Sequence, residues 1–134
     1  MATLHSEDQA IETSEDVVHV RQRVRARAVE IGLSLVDQTK LVTAASELAR
    51  NALEHGGGGI ARIEVVNDGH RRGIRLTVED RGPGIADIQL ALKDGYSSRG
   101  GLGLGLGGAK RLANEFDVQS RPGEGTTVTI ARWR

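Results

Sequence analysis

A chain of 134 residues, 38% hydrophobic but only 2% aromatic, has room for one domain with an aliphatic core of Val, Ile, Leu and Ala. Its 18 basic residues balance 18 acidic ones, which argues against nucleic acid, where affinity comes from clustered Lys and Arg. Lack of cysteine excludes disulfides, thiol catalysis and Cys-type zinc sites, and no apolar run approaches the ~20 residues that span a bilayer.

Residues 1–7 read as a flexible tail ahead of one domain that covers the chain, with a short strand near Asp8 to Glu12. The opening Met-Ala-Thr-Leu-His-Ser-Glu-Asp is polar and acidic, unlike a signal peptide, so a soluble cytoplasmic protein is expected. Ser14, followed by Glu15 and Asp16, is a candidate N-cap for a helix that carries Val17, Val20, Val24, Ala28 and Ile31 and stops at Gly32. Ser34-Leu-Val-Asp37 has the form of a capping box with Asp in the last position. It opens a longer helix striped by Leu41, Val42, Ala45, Leu48, Ala49, Ala52 and Leu53. Gly56 to Gly59 read as a flexible exit from it.

Ile60 to Val66 and Ile74 to Asp80 alternate as strands around the turn Asn67-Asp68-Gly69-His70. By parity Asp80 shares a face with Ile74, Leu76 and Val78, so a carboxylate ends an apolar face. Ala86 to Asp94 suits a short helix, Ala109 to Phe116 another, Val118 begins a strand, and Thr126 to Trp133 alternates as the last one. Helices that precede and interrupt a mainly antiparallel, mixed sheet predict a two-layer α/β sandwich with the helices on one face.

Three stretches carry chemistry. Glu47 and Asn51 lie one helical turn apart on one face, an acid able to accept a proton beside an amide oxygen able to ligate Mg²⁺. The same spacing also fits the solvated side of an amphipathic helix. Asp80-Arg-Gly82-Pro-Gly84 offers an inward carboxylate for an exocyclic amine and glycines for close approach to a flat ligand, or else a turn in which Asp80 caps backbone amides. The run from Gly100 to Gly108 formally contains G-x-G-x-x-G, but no buried strand precedes it, and Lys110 is followed by Arg rather than the Ser or Thr of a Walker A loop. What survives is a set of glycine-freed amides at a helix start, suited to phosphate. Leucines alternating with the glycines argue against a linker. The four scattered histidines, His5, His19, His55 and His70, show no ligand spacing and read as surface or turn residues.

In this order the motifs resemble the GHKL ATP-binding family, which includes gyrase, histidine kinases and MutL. Glu47 and Asn51 match its N box, Asp80, Gly82 and Gly84 its G1 box, the Gly101 to Gly108 string its G2 box, and Gly125-Thr126 its last box. Within the family, Ser46-Glu-Leu-Ala-Arg-Asn51 and Lys110 to Phe116 look like the small bacterial anti-sigma regulatory serine kinases, above all the stressosome switch kinase; Gly107 stands where those relatives often have Pro. The resemblance implies a Bergerat-type fold holding ATP and Mg²⁺. It implies Glu47 as general base and Asn51 as Mg²⁺ ligand. Asp80 would read adenine with Gly82, Gly84 and Thr126 in support, and Gly101, Gly103, Gly105 and Leu106 would hold nucleotide. Residues 88–100 would form the ATP lid. It further implies phosphorylation of Ser or Thr on a STAS-domain partner and activation of a PPM-type phosphatase, or alternatively an anti-sigma factor that holds a sigma subunit, with neither nucleic acid nor membrane as partner.

Overall fold

A computed structural model describes residues 1–92 and 105–134. Chain order is β1 (Ala2–Ile11), α1 (Ser14–Glu30), α2 (Leu35–Glu54), β2 (Gly59–Asn67), β3 (Arg72–Asp80), α3 (Ile88–Ala91), α4 (Gly105–Arg111), β4 (Glu115–Ser120) and β5 (Thr126–Trp133). The strands form one sheet in the order β1-β2-β3-β5-β4, and every neighbouring pair runs antiparallel. One face carries the core. Ala61, Ile63 and Val65 of β2, Ile74, Leu76 and Val78 of β3, and Val128 and Ile130 of β5 pack there against Val20, Val24 and Ala28 of α1 and Leu41, Ala45 and Leu48 of α2. The other face is polar, with Arg62 paired to Asp8 at 3.0 Å and Arg75 to Glu64 at 3.0 Å.

Residues 1–7 are not a tail. β1 pairs with β2 from Ala2 opposite Asn67 to Ile11 opposite Gly59. Its sequence hides this because it is an edge strand whose inward face meets arginines rather than aliphatic side chains: Glu7 accepts from Arg23 and Arg27 of α1, each at 3.3 Å. A strand that docks by charge leaves no apolar alternation to read.

The helix starts follow capping chemistry, but redistributed. Thr13, one residue before the expected Ser14, caps α1, and its capping box is closed by Asp16, whose carboxylate accepts from the Glu12 and Thr13 amides at 2.8 and 3.2 Å. Ser34 caps α2 as expected, accepting from the Asp37 amide at 3.1 Å. Asp37 does not complete a box. Its carboxylate instead accepts from Arg132 of β5 at 2.7 Å, and that hydrogen bond holds its pKa below the usual carboxylate value. Arg132 also donates to the Leu112 carbonyl at 2.8 Å, tying the last strand to the start of α2 and the exit of α4.

The helix expected over 109–116 ends at Arg111, and β4 begins at Glu115 rather than Val118. Asn114 explains the stop: its amide donates to the Ala131 carbonyl at 2.9 Å and its side-chain oxygen accepts from the Trp133 amide at 2.7 Å, so sheet pairing captures the segment. In the β2–β3 turn, Asp68 accepts from the His70 and Arg71 amides, and these bonds pull its pKa to about 2.

Candidate functional site

A cavity of about 580 Å³ opens where the C-terminal half of α2, the end of β3, the loop 83–87, α3, the start of α4 and the start of β5 meet. Its lining is mixed: Leu48, Ala52, Val78, Ile85, Leu106 and Val128 supply apolar surface, and Asn51, Asp80 and Thr126 place polar groups among them. Such a pocket, apolar with a few convergent polar groups, suits a flat organic ligand with a polar edge.

Asp80 is the last residue of β3 and sits opposite Thr126, the first of β5. Its Oδ1 accepts from the Gly82 amide at 2.9 Å. Burial pushes its pKa up, opposed by the Gly82 and Thr126 amides and by the nearby His55. A carboxylate kept at the end of an apolar face against a desolvation cost has acceptor capacity to offer a ligand. The turn-capping and ligand-reading alternatives thus coexist in one side chain: one oxygen caps Gly82 while the residue lines the cavity.

Two glycine turns lock this end together. Gly123 donates to the Pro83 carbonyl at 2.7 Å and Ile85 to Ser120 Oγ at 2.7 Å. Gly84 and Gly125 adopt φ of 75° and 80°, and a Cβ on either would collide with backbone carbonyl oxygen, that of Arg121 or of Asp80 respectively. Behind Asp80, a Cβ on Gly82 would stand 2.5 Å from Gly56 Cα, and one on Gly56 would strike the Asp80 carboxylate itself. Gly56, expected to be part of a flexible exit, is therefore a close-packing residue beneath the site. A glycine run has two readings, and nothing short of tertiary contact separates them.

Asn51 lines the cavity from the last turns of α2, and its side-chain amide hydrogen-bonds no described residue. Glu47 lies one turn earlier, 8% exposed, with Oε1 accepting from Arg50 Nη1 at 2.8 Å, and it is not among the lining residues. The structure thus brings Asn51, Asp80, Gly84, Leu106 and Thr126 to one cavity, keeps Gly82 against its floor, and holds Glu47 just outside. Gly105, at φ 66°, begins α4. Gly101 and Gly103, with most of the expected lid, lie outside the described residues, and α3 is the described part of the helix expected over 86–94. Sequence reasoning missed Ser120, the packing role of Gly56 and, Leu106 apart, the apolar wall. His55, read as a surface or turn residue, also lines the cavity, at the C-cap of α2. Parity along β5 held a signal for Val128, but none marked Ser120.

No group of three His, Cys, Asp or Glu side chains converges among the described residues. The side-chain oxygen of Asn51 at the cavity is a hard donor of the kind that suits a cation keeping its waters and taking phosphate oxygens.

An antiparallel sheet backed by two long helices, with an acid at a strand end and an amide on a helix facing one cavity, defines an α/β sandwich of the GHKL type. Residues 36–134 match the histidine kinase-, DNA gyrase B- and HSP90-like ATPase family, and the chain belongs to it. Among curated relatives, it is 46% identical over 123 residues to the serine/threonine-protein kinase RsbT of Bacillus subtilis, covering 92% of each chain. An anti-sigma F factor of Geobacillus kaustophilus is 31% identical, over 89% of this chain and 85% of that one. Among solved structures, the RsbU and RsbW domains of a Mycobacterium tuberculosis protein superpose with a TM-score of 0.68 at 26% identity, over 97% of this chain but 33% of that longer one. A mycobacterial sensor histidine kinase, MprB, superposes with a TM-score of 0.57 at 21% identity and shares the fold.

Proposed function

We propose that this chain is an ATP-dependent protein serine/threonine kinase that phosphorylates a STAS-domain partner and works as a partner switch, its release engaging a PPM-type phosphatase in bacterial stress signalling. The observation that carries the reading is the meeting of Asn51, Asp80 and Thr126 around one largely apolar cavity. Support for the kinase over the anti-sigma alternative comes from the degree of likeness: 46% identity to a named serine/threonine-protein kinase against 31% to an anti-sigma factor.

In this reading Asp80 accepts from the exocyclic amine of adenine, while Val78, Ile85 and Val128 cover the ring. Asn51 would hold Mg²⁺, which would supply neutralisation of the phosphate charge. Gly101, Gly103, Gly105 and Leu106 are the residues whose amides would be offered to phosphate. Glu47 takes the proton of the incoming serine or threonine hydroxyl as its oxygen bonds to the γ-phosphorus and the bond to the β-phosphate oxygen breaks, leaving ADP. Because such transfer depends chiefly on positioning and charge neutralisation, the base contributes less than the metal ligand. Arg50 donates to Oε1 of Glu47, which leaves Oε2 to accept the hydroxyl proton. Function of the chain as one domain in the cytoplasm completes the proposal.

The test is incubation with radiolabelled ATP, Mg²⁺ and candidate STAS proteins, comparing wild type with Asp80→Asn. Label on a serine or threonine of the STAS protein, falling in the variant at sub-saturating ATP, is the expected result. A pull-down that recovers a sigma subunit in place of STAS and phosphatase partners reverses the choice between kinase and anti-sigma factor.

A further inference from the structure

Arg50 stands three residues beyond Glu47 on α2. Helical side chains lean back over the preceding turn, so position 50 reaches positions 46 and 47. Both ends of its guanidinium are used there. Nη1 donates to Glu47 Oε1 at 2.8 Å, and Nη2 donates to Ser46 Oγ at the longer distance of 3.4 Å. The Glu47 side chain is 10% exposed and that of Arg50 42%, so a half-exposed cation partners a nearly enclosed carboxylate. A planar fork held at two points has little freedom to turn, and the carboxylate it grips at one oxygen is held with it. Since a carboxylate accepts at both oxygens, Oε2 is the one left for a proton. Charge alone does not call for arginine here: lysine brings the same charge on a single nitrogen that swivels.

We propose that Arg50 is a positioning residue for phosphoryl transfer: braced on Ser46, it holds Glu47 in the rotamer that presents Oε2 to the incoming serine or threonine hydroxyl. This deepens the kinase reading above and rests on it, with Glu47 as the base. Arg50 touches neither nucleotide nor reacting atoms and acts through Glu47. A glutamate side chain turns about three bonds, so without the brace it divides its time among rotamers that miss the hydroxyl. A group displaced by about 1 Å from a reacting atom loses much of its effect on rate, whereas binding of the nucleotide does not depend on where that carboxylate points.

The experiment measures single-turnover transfer from radiolabelled ATP, with Mg²⁺, to a STAS-domain protein that the wild type labels. It uses the full chain, with circular dichroism confirming the fold of each variant. Every variant yields a maximal rate and the half-saturating concentrations of ATP and of STAS protein. Arg50→Met, which keeps the apolar stem and drops the charge, is expected to lower the maximal rate about tenfold and leave both concentrations unchanged. Arg50→Lys is expected to recover part of that rate. Ser46→Ala, which removes the longer contact, is expected to lower the rate less than Arg50→Met does. Added to Glu47→Ala, Arg50→Met should cost nothing further, because the arginine acts through that carboxylate. An arginine that serves the helix alone leaves the maximal rate untouched, and one that docks the partner raises the half-saturating STAS concentration instead. A wild-type maximal rate in Arg50→Met, a loss confined to the STAS concentration, or a further loss in the double variant overturns the proposal. If Arg50→Met does not fold, Arg50→Gln takes its place with the same expected and overturning results. Wild type that labels no STAS protein, or Glu47→Ala that labels one as fast as wild type, overturns the kinase reading or its base. That outcome is distinct from an unmoved rate in Arg50→Met when wild type transfers phosphate and Glu47→Ala does so slowly.

Discussion

At the Asp80 end of the cavity the wall is mostly backbone. Two glycine turns interlock, Gly123 on Pro83 and Ile85 on Ser120, and the carboxylate is held between amides. At the α2 end the wall is helix, and what it offers is side chains: Asn51 without a described partner, and Glu47 a turn behind it, paired with Arg50. An interlocked backbone is pre-organised and rejects what does not fit, whereas side chains on a helix are re-aimed by changing a rotamer. The contrast fits the proposed division, with recognition at the first end and chemistry at the second.

Substitutions can break that division of labour. The largest effect is expected from Asn51→Ala, which should cut phosphoryl transfer by about 10³-fold or more in the radiolabel assay. Glu47→Ala should cut it by roughly 10²-fold while ATP affinity, read by nucleotide fluorescence, stays as in wild type; equal phosphorylation by this variant rejects Glu47 as the base. Asp80→Asn should act on the other quantity, weakening ATP binding by about 10- to 100-fold through loss of a charge-assisted acceptor. If it lowered turnover at saturating ATP and left affinity intact, the two ends would not be separate.

Gly84→Ala is expected to cost about 2–4 kcal/mol in urea unfolding, since a φ of 75° and collision with the Arg121 carbonyl act together. An alanine there with wild-type stability would mean the interlock is loose.

The smallest effect is a pH dependence. Burial raises the Asp80 pKa, so the folded protein holds that proton to a higher pH than the unfolded chain does. Between the unfolded value near 3.8 and the raised folded value, the unfolded state releases the proton first, and stability falls as pH rises. Asp80→Asn removes that contribution, so its stability without nucleotide should gain on wild type as pH climbs through this window. A difference constant with pH, measured by urea titration, contradicts the buried, costly carboxylate.

Local chemistry made much of the molecule legible from the residues. The β2–β3 hairpin alternates cleanly, β5 runs over the expected residues, and Ser34 caps α2, because in each case the deciding interactions lie within a few residues. The Glu47–Asn51 spacing and the parity of Asp80 likewise placed candidate groups on known faces. Errors arose where a distant partner decided. Asn114 stops a plausible helix by pairing with β5, and β1 looks like a tail because its partners are the arginines of α1; the Thr13 cap, closed by the neighbouring Asp16, was a local miss by one residue. Ser120 gave no signal at all, being one serine among turn residues until Ile85, Gly125 and Thr126 surround it.

Sequence by itself determined the family, the aliphatic core and the helix and hairpin order, and it named the candidate groups proposed to handle a nucleotide, since periodicity, capping and motif spacing are written along the chain. Tertiary structure decided which of those groups share a cavity, that Glu47 stands outside its lining, that Gly56 is packed against the Asp80 carboxylate rather than loose, and that a serine on β4 meets a threonine on β5. The reason is that each of these depends on how closely backbones from distant parts of the chain approach one another. That closeness is set by the whole sheet and its helices, and by no single segment.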